Sequence, residues 1–227
     1  MSDLDLCPTA DGFATLYSTR YGQTYHSRHG AGLEARHVFL DGASVTARLD
    51  AGQPTRILEV GFGTGLNFLL TAQHALDAGT PLSFTSLERD VLTADTLRSL
   101  NYAERIDRSL VDLLIDRRAR LSDAVPTGRY RTSFGTASLT LVVGDATDAV
   151  LPKNCDAVYL DAFSPDANPE LWKPASCRRL HRALKPGGRL TTYSVRRSVR
   201  DALAGAGFEI RKRPGPPGKR ECLVALR

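Results

Sequence analysis

The chain has 227 residues, 42% of them hydrophobic and 24% charged, with a formal net charge of +5. That length suits one α/β domain with a sizeable core and a modest extension, and no apolar run is long enough to span a bilayer. Cys7, Cys155, Cys177 and Cys222 show no metal-ligand spacing, so reduced thiols are expected, with neither zinc nor bridges.

The start, Met1-Ser2-Asp3-Leu4-Asp5, lacks the basic and apolar regions of a signal peptide, so a soluble cytoplasmic protein is expected. Residues 1–50 read as a small β extension packed on the core. Within it, Tyr17 to Ser27 is rich in aromatic and hydroxyl side chains, and Leu33 to Leu40 reads as a strand closed by a turn at Asp41-Gly42. Residues 51–227 read as a nucleotide-type domain. Its first strand, Arg56 to Val60, runs into Gly61-Phe62-Gly63-Thr64-Gly65 and then a helical pattern from Leu66. Strand, glycine turn and helix together offer close backbone approach and unpaired N–H groups at the end of a parallel strand. A dinucleotide fingerprint would need glycine where Leu66 stands.

Leu82 to Glu88 reads as the second strand, ending in an acid about twenty residues beyond the glycines, where a carboxylate can hold ribose hydroxyls. Asp90 to Arg120 is helical in pattern, and Asp123 to Thr136, with Pro126 and Gly128, reads as a linker. Ser138 to Val143 is a strand closed by Gly144-Asp145. Asp145 suits either the adenine amino group or a helix N-cap. Asp156 to Leu160 is a buried strand, followed by the stiff loop Asp161-Ala162-Phe163-Ser164-Pro165 through Trp172, placed where open parallel sheets bind substrates. Ala175 to Leu184 is a helix, Lys185-Pro186-Gly187-Gly188 a turn, and Arg189 to Ser194 a strand. A helix from Val199 to Ala206 and two last strands, Phe208 to Lys212 and Glu221 to Leu226, complete the chain.

The spacing Glu59-x-Gly61-x-Gly63-x-Gly65 resembles the first motif of S-adenosylmethionine (SAM) methyltransferases, in which the acid meets the methionine ammonium directly or through water. With Gly144-Asp145, Leu160 to Pro165, Asn168 to Trp172, Lys185 to Gly188, Gly32-Leu33-Glu34-x-Arg36 and Gly218-Lys219-Arg220-Glu221, nearly the whole chain resembles the methyltransferase domain of the MnmC family. The resemblance implies a class I SAM-dependent methyltransferase, α/β and Rossmann-like, with a mostly parallel sheet and a C-terminal antiparallel hairpin. The implied reaction is methylation of the exocyclic amine of 5-aminomethyl-2-thiouridine at the tRNA wobble position, giving 5-methylaminomethyl-2-thiouridine. The family domain is often fused to an FAD-dependent oxidase. A chain of this length is expected to act as the stand-alone methyltransferase, dependent on the enzymes that make its precursor.

The residues implied at the cofactor are Glu59, Gly61, Phe62, Gly63, Gly65, Asn67, Glu88 and Asp145. Asp161 is the expected catalytic carboxylate: it orients the amine, stabilises the developing ammonium and takes its proton, while the nearby sulfonium already disfavours a second cation. A structural reading of Asp161 is a cap that shapes the following turn. Phe163 and Pro165 are expected to wall the amine pocket, and Tyr25 and Ser27 to reach the nucleobase. His26 and His37 depart from the family pattern.

From Lys173 onward there are fifteen Lys and Arg against three acids. Arg196, Arg197, Arg200, Arg211, Lys212, Arg213, Lys219 and Arg220 are candidates for phosphate contacts with the tRNA anticodon loop, giving salt-sensitive affinity. A basic surface without a nucleic-acid partner is the plain alternative. Two other functions fit less of this pattern: a SAM-dependent methyltransferase of a small-molecule amine, and a non-catalytic SAM- or tRNA-binding module.

Overall fold

In the computed structural model, which describes residues 3–227, the chain opens with a small antiparallel sheet of β1 (Leu4–Pro8), β2 (Ala14–Ser18) and β3 (Gln23–Thr24). Helix follows where strand was expected: α1 (Ala31–Glu34) continues through π-helical turns over Ala35–Asp41, and α2 (Val45–Asp50) ends the segment. The strand reading rested on the apolar run Val38-Phe39-Leu40. Those three are buried together with Ala31, Ala35, Val45 and Leu49, a helical spacing that packs one face on the core.

The remaining strands form one eight-stranded sheet. They are β4 (Thr55–Val60), β5 (Leu82–Glu88), β6 (Gly128–Phe134), β7 (Ala137–Val143), β8 (Cys155–Leu160), β9 (Leu184–Thr192), β10 (Glu209–Pro214) and β11 (Glu221–Leu226). Their order is β10-β11-β9-β8-β4-β5-β7-β6. The five middle strands, β9 to β7, are parallel; the β10-β11 hairpin is antiparallel at one edge and β6 at the other. The expected α/β fold with a C-terminal hairpin and a small N-terminal sheet is therefore the one observed. Every residue of β8 is buried, as a central parallel strand requires.

Helices cover both faces. α3 (Leu66–Asp77), with the N-terminal helices and α5 (Arg108–Ala119), encloses one apolar core around Phe68, Phe84 and Tyr159. On the other face, α6 (Pro174–Ala183) and α7 (Arg197–Ala204) enclose a second around Leu58, Val158 and Leu190. The chain runs from β4 outward to β5 and β7, then returns to β8 on the opposite side of β4. The crevice beyond the carboxyl ends of β4 and β8 is thus the topological switch point, where such sheets bind ligands.

Three local expectations are corrected. The region 123–136 contains an edge strand, β6, in which exposed Arg129, Arg131 and Ser133 alternate with half-buried Tyr130 and Thr132; the polar character looked like a linker until β7 supplied a partner. The stretch 90–120 breaks into α4 (Ala94–Ser99), a 3₁₀ turn at Tyr102–Glu104, and α5. Thr93 and Asp107 cap the two α-helices by accepting from the N–H groups of Thr96 and Leu110. Lys185 to Gly188 lies inside β9, at a register shift against β8. Gly187 there takes φ +76° and donates its N–H to the Arg227 carbonyl, so turn geometry is accommodated within the strand as a bulge.

Candidate active site

A cavity of about 390 Å³ occupies the crevice at the strand ends. Its floor is the glycine turn. Gly61 adopts φ +93°, and a Cβ there would lie 2.7 Å from the Asp161 carbonyl; Gly63 adopts φ +50°, and a Cβ would press on the Tyr25 ring at 2.9 Å. Both positions exclude any other side chain, which leaves the backbone open to a ligand. Glu88 closes β5 beside them. Its Oε2 accepts from Gly63 N–H at 2.9 Å and its Oε1 from the N–H groups of Arg89 and Asp90 at 2.8 Å. Burial raises the Glu88 pKa despite these three bonds. Lone pairs remain on both oxygens for further donors.

Beneath this wall lies a carboxylate cluster that spacing did not reveal. Asn67, in the first turn of α3, donates its Nδ2 to Glu59 Oε1 at 3.1 Å and to Asp161 Oδ2 at 2.8 Å. Ser86 Oγ donates to the other Glu59 oxygen at 2.6 Å. Glu59 is 1% exposed and sits behind the cavity wall, with its carboxyl pushed up to about 8 by burial. Asp161 does line the cavity. Burial, then the Glu34 and Glu59 carboxylates, hold its carboxyl well above the usual range, against the Asn67 bond and the Lys219 charge. Among the described residues Asn67 Oδ1 is buried without a partner, an acceptor left over at the junction of the two acids.

The loop after β8 is irregular up to Asn168 and closes in a 3₁₀ turn at Pro169–Trp172, and its backbone is tied on three sides. Ala162 O accepts from Tyr193 Oη at 2.9 Å and Phe163 O from Trp172 Nε1 at 2.9 Å. Ser164 is clamped by Gln23, whose Oε1 accepts from its N–H and whose Nε2 donates to its Oγ. The Phe163 ring stacks on Tyr21 at 4.3 Å and meets Tyr25 edge-on at 5.0 Å. The small N-terminal sheet therefore supplies an aromatic wall. Next to it His26 is buried, bonded through Nε2 to Thr64 Oγ1 at 2.8 Å, and burial lowers its pKa to about 4.

Of the residues singled out from sequence, the cavity brings together Tyr25, Ser27, Gly61, Gly63, Glu88, Asp145, Asp161, Phe163 and Lys219. Asp145 faces the cavity and also shapes its own turn, accepting from Thr147 N–H and Oγ1 at 2.7 Å, bonds that lower its pKa. Glu59, Phe62, Gly65, Asn67 and Pro165 lie outside the cavity lining, as do Arg197 and Arg220 on the exposed surface. Phe62 is buried against Phe68 in the core. Sequence reasoning passed over Gln23 and Glu34, although the first lies in the aromatic-hydroxyl segment and the second in a quoted motif. His37, on the outer surface, is bonded through Nε2 to the Pro214 carbonyl. Among the described residues no cluster of metal-binding side chains occurs and no helix is long and apolar enough to cross a membrane.

Residues 118–227 match the model of a family described as S-adenosyl-L-methionine-dependent methyltransferase. The chain is 40% identical over 220 residues to the tRNA 5-methylaminomethyl-2-thiouridine biosynthesis bifunctional protein MnmC of Delftia acidovorans, covering 93% of this chain and 33% of that protein. It is 38% identical over 226 residues to the same protein of Cupriavidus metallidurans, covering 96% and 33%. The chain thus spans about a third of the length of these curated relatives. The crystal structure of MnmC2 from Aquifex aeolicus superposes with a TM-score of 0.83 at 28% identity, over 100% of this chain and 71% of that one. Over nearly its whole length the chain is thus similar to MnmC proteins and to MnmC2, with the S-adenosyl-L-methionine-dependent methyltransferase match over residues 118–227 and the class I SAM-dependent methyltransferase fold.

Proposed function

We propose that this methyltransferase converts the aminomethyl group of 5-aminomethyl-2-thiouridine at the tRNA wobble position to methylaminomethyl, in the cytoplasm, on a precursor made by other enzymes. The observation that carries the reading is Asp161, a half-buried carboxylate in the same cavity as the glycine turn and flanked by the Phe163 aromatic wall. The relatives' role in tRNA 5-methylaminomethyl-2-thiouridine biosynthesis supports the substrate.

The cavity suits SAM by its own features: two glycine positions closed to side chains, with Glu88 and Asp145 among the acids of the wall. Gly61 and Gly63 would hold the methionine part, Glu88 the ribose hydroxyls and Asp145 the adenine amino group, while Asn67 and Glu59, outside the lining, would support the wall from behind. When bound, SAM supplies an electrophilic methyl group on a sulfonium. Asp161 orients the incoming amine and accepts its proton; a carboxyl whose pKa is raised toward that of the amine shares that proton more evenly. Phe163 and Tyr25 exclude water and hold the base. Asn67 keeps Asp161 in one orientation, which preserves the in-line approach.

Nucleoside mass spectrometry tests this on tRNA carrying 5-aminomethyl-2-thiouridine, incubated with SAM and either the native chain or Asp161→Asn. The native chain adds one methyl to that uridine, and the variant binds SAM but loses turnover by about 10²-fold or more. No methyl gain by a SAM-binding native chain would reject the substrate.

A further inference from the structure

Glu34, the last residue of α1, is 5% exposed and faces the same cavity as Asp161. Both its oxygens are engaged: Oε2 accepts from Ser27 N–H at 2.7 Å, and Oε1 from Lys219 Nζ. Lys219 comes from the loop between β10 and β11, and its Nζ lies 4.3 Å from the centroid of the Tyr193 ring. Gly218 lets that loop descend, since a Cβ there would meet the His29 ring at 2.3 Å. Tyr193 in turn bonds the carbonyl next to Asp161. The ion pair therefore joins the N-terminal segment to the C-terminal hairpin across the amine side of the cavity. Lys219, expected from sequence at an RNA phosphate, points its charge inward. A largely buried ion pair is a weak source of stability, because desolvation offsets much of its attraction.

We propose that Glu34 and Lys219 are a positioning pair for Asp161, cancelling each other's charge so that one net carboxylate meets the substrate ammonium. The inference rests on the reading of Asp161 as the amine's partner. The ionisable groups facing Asp161 are Glu34 from α1, Glu59 from β4, Tyr193 after β9 and Lys219 from the hairpin loop, with neutral Asn67 from α3. Burial pushes the Glu59 carboxyl up to about 8, which favours its neutral form, and burial raises Tyr193 as well. Lys219 alone would repel an ammonium. Glu34 alone would offer a second carboxylate and draw the amine away from the transfer line.

A structural strap and a charge-balancing pair differ in how the single variants behave. In protein labelled with ¹³C at the aspartate carboxyl, the Asp161 resonance is the one lost in Asp161→Asn. Its titration midpoint moves to lower pH in Glu34→Gln, to higher pH in Lys219→Met, and returns near the native value in the double variant. SAM binding confirms that each variant is folded. With aminomethylated tRNA, each single variant loses kcat by about tenfold with the KM for SAM unchanged, and the double variant recovers part of the loss. Midpoints that stay put, or move in one direction in both singles, overturn the proposal. Opposed midpoints in a chain that does not methylate tRNA would uphold the pair and remove only the substrate reading.

Discussion

At the residue scale, two acids of the site, Asp161 and Glu59, are desolvated to different ends. Asp161 lines the cavity, so its raised pKa should be visible in the rate. The acid limb of the kcat/KM profile is expected above the range of an ordinary aspartate, and the Asp161→Asn profile should lack it. Glu59 lies behind the wall, so its titration should be visible in stability. Its folded pKa of about 8 exceeds that of an unfolded glutamate, so the folded chain holds the proton more tightly. The proton's contribution is complete below about pH 4 and is lost as pH rises through about 8. The SAM-free protein should therefore melt at progressively lower temperature across that window. Glu59→Gln, scanned by calorimetry, should flatten the decline, and an equally steep decline in the variant would mean that Glu59 is ionised in the fold.

At the element scale, the active loop is irregular backbone held by its neighbours. Gln23, from the two-residue β3, makes two bonds to Ser164, each worth about 1 kcal/mol net. Gln23→Ala should release the Phe163 wall and raise the KM for tRNA several-fold, while SAM affinity measured by calorimetric titration stays the same. The glycine turn behaves in the opposite way. Gly61→Ala forces a Cβ against the Asp161 carbonyl at a positive φ, with a backbone cost of about 1–3 kcal/mol. SAM binding should be the property lost, and unchanged SAM affinity would show that the turn is not the cofactor's floor.

At the scale of the whole molecule, the basic C-terminal third is more balanced than its composition suggests. Arg196 pairs with Asp166, Arg197 with Asp201, Arg211 with Glu209, Lys212 with Glu221, and Lys219 with Glu34. Five of the eight candidate phosphate contacts thus already have a carboxylate. The first four of these pairs are largely exposed, contribute little and can exchange for phosphate, but each exchange frees an acid that remains nearby. Filter binding of tRNA against salt should accordingly give a log–log slope near −3, against about −7 if all eight cations neutralised phosphates. A slope near zero would remove the phosphate-contact reading altogether.

Much of the fold was legible in the chain itself. Alternation and apolar runs marked β4, β5, β7 and β8, and glycines at fixed spacing marked the turn after β4, because these signals arise within a few neighbouring residues. Glu88, Asp145 and Asp161 could be placed at strand ends for the same reason. Legibility failed where structure depended on a distant partner. The edge strand β6 needed β7, and the Val38-Phe39-Leu40 run needed the core face that draws it into helix. The Glu59–Asn67–Asp161 cluster joins β4, α3 and the loop after β8, and the Glu34–Lys219 pair spans 185 positions. Local backbone preference determined the strand ends and the turn, whereas only tertiary packing decided which acids share a desolvated space and which cation faces them, since burial and Coulomb interactions depend on distance in space.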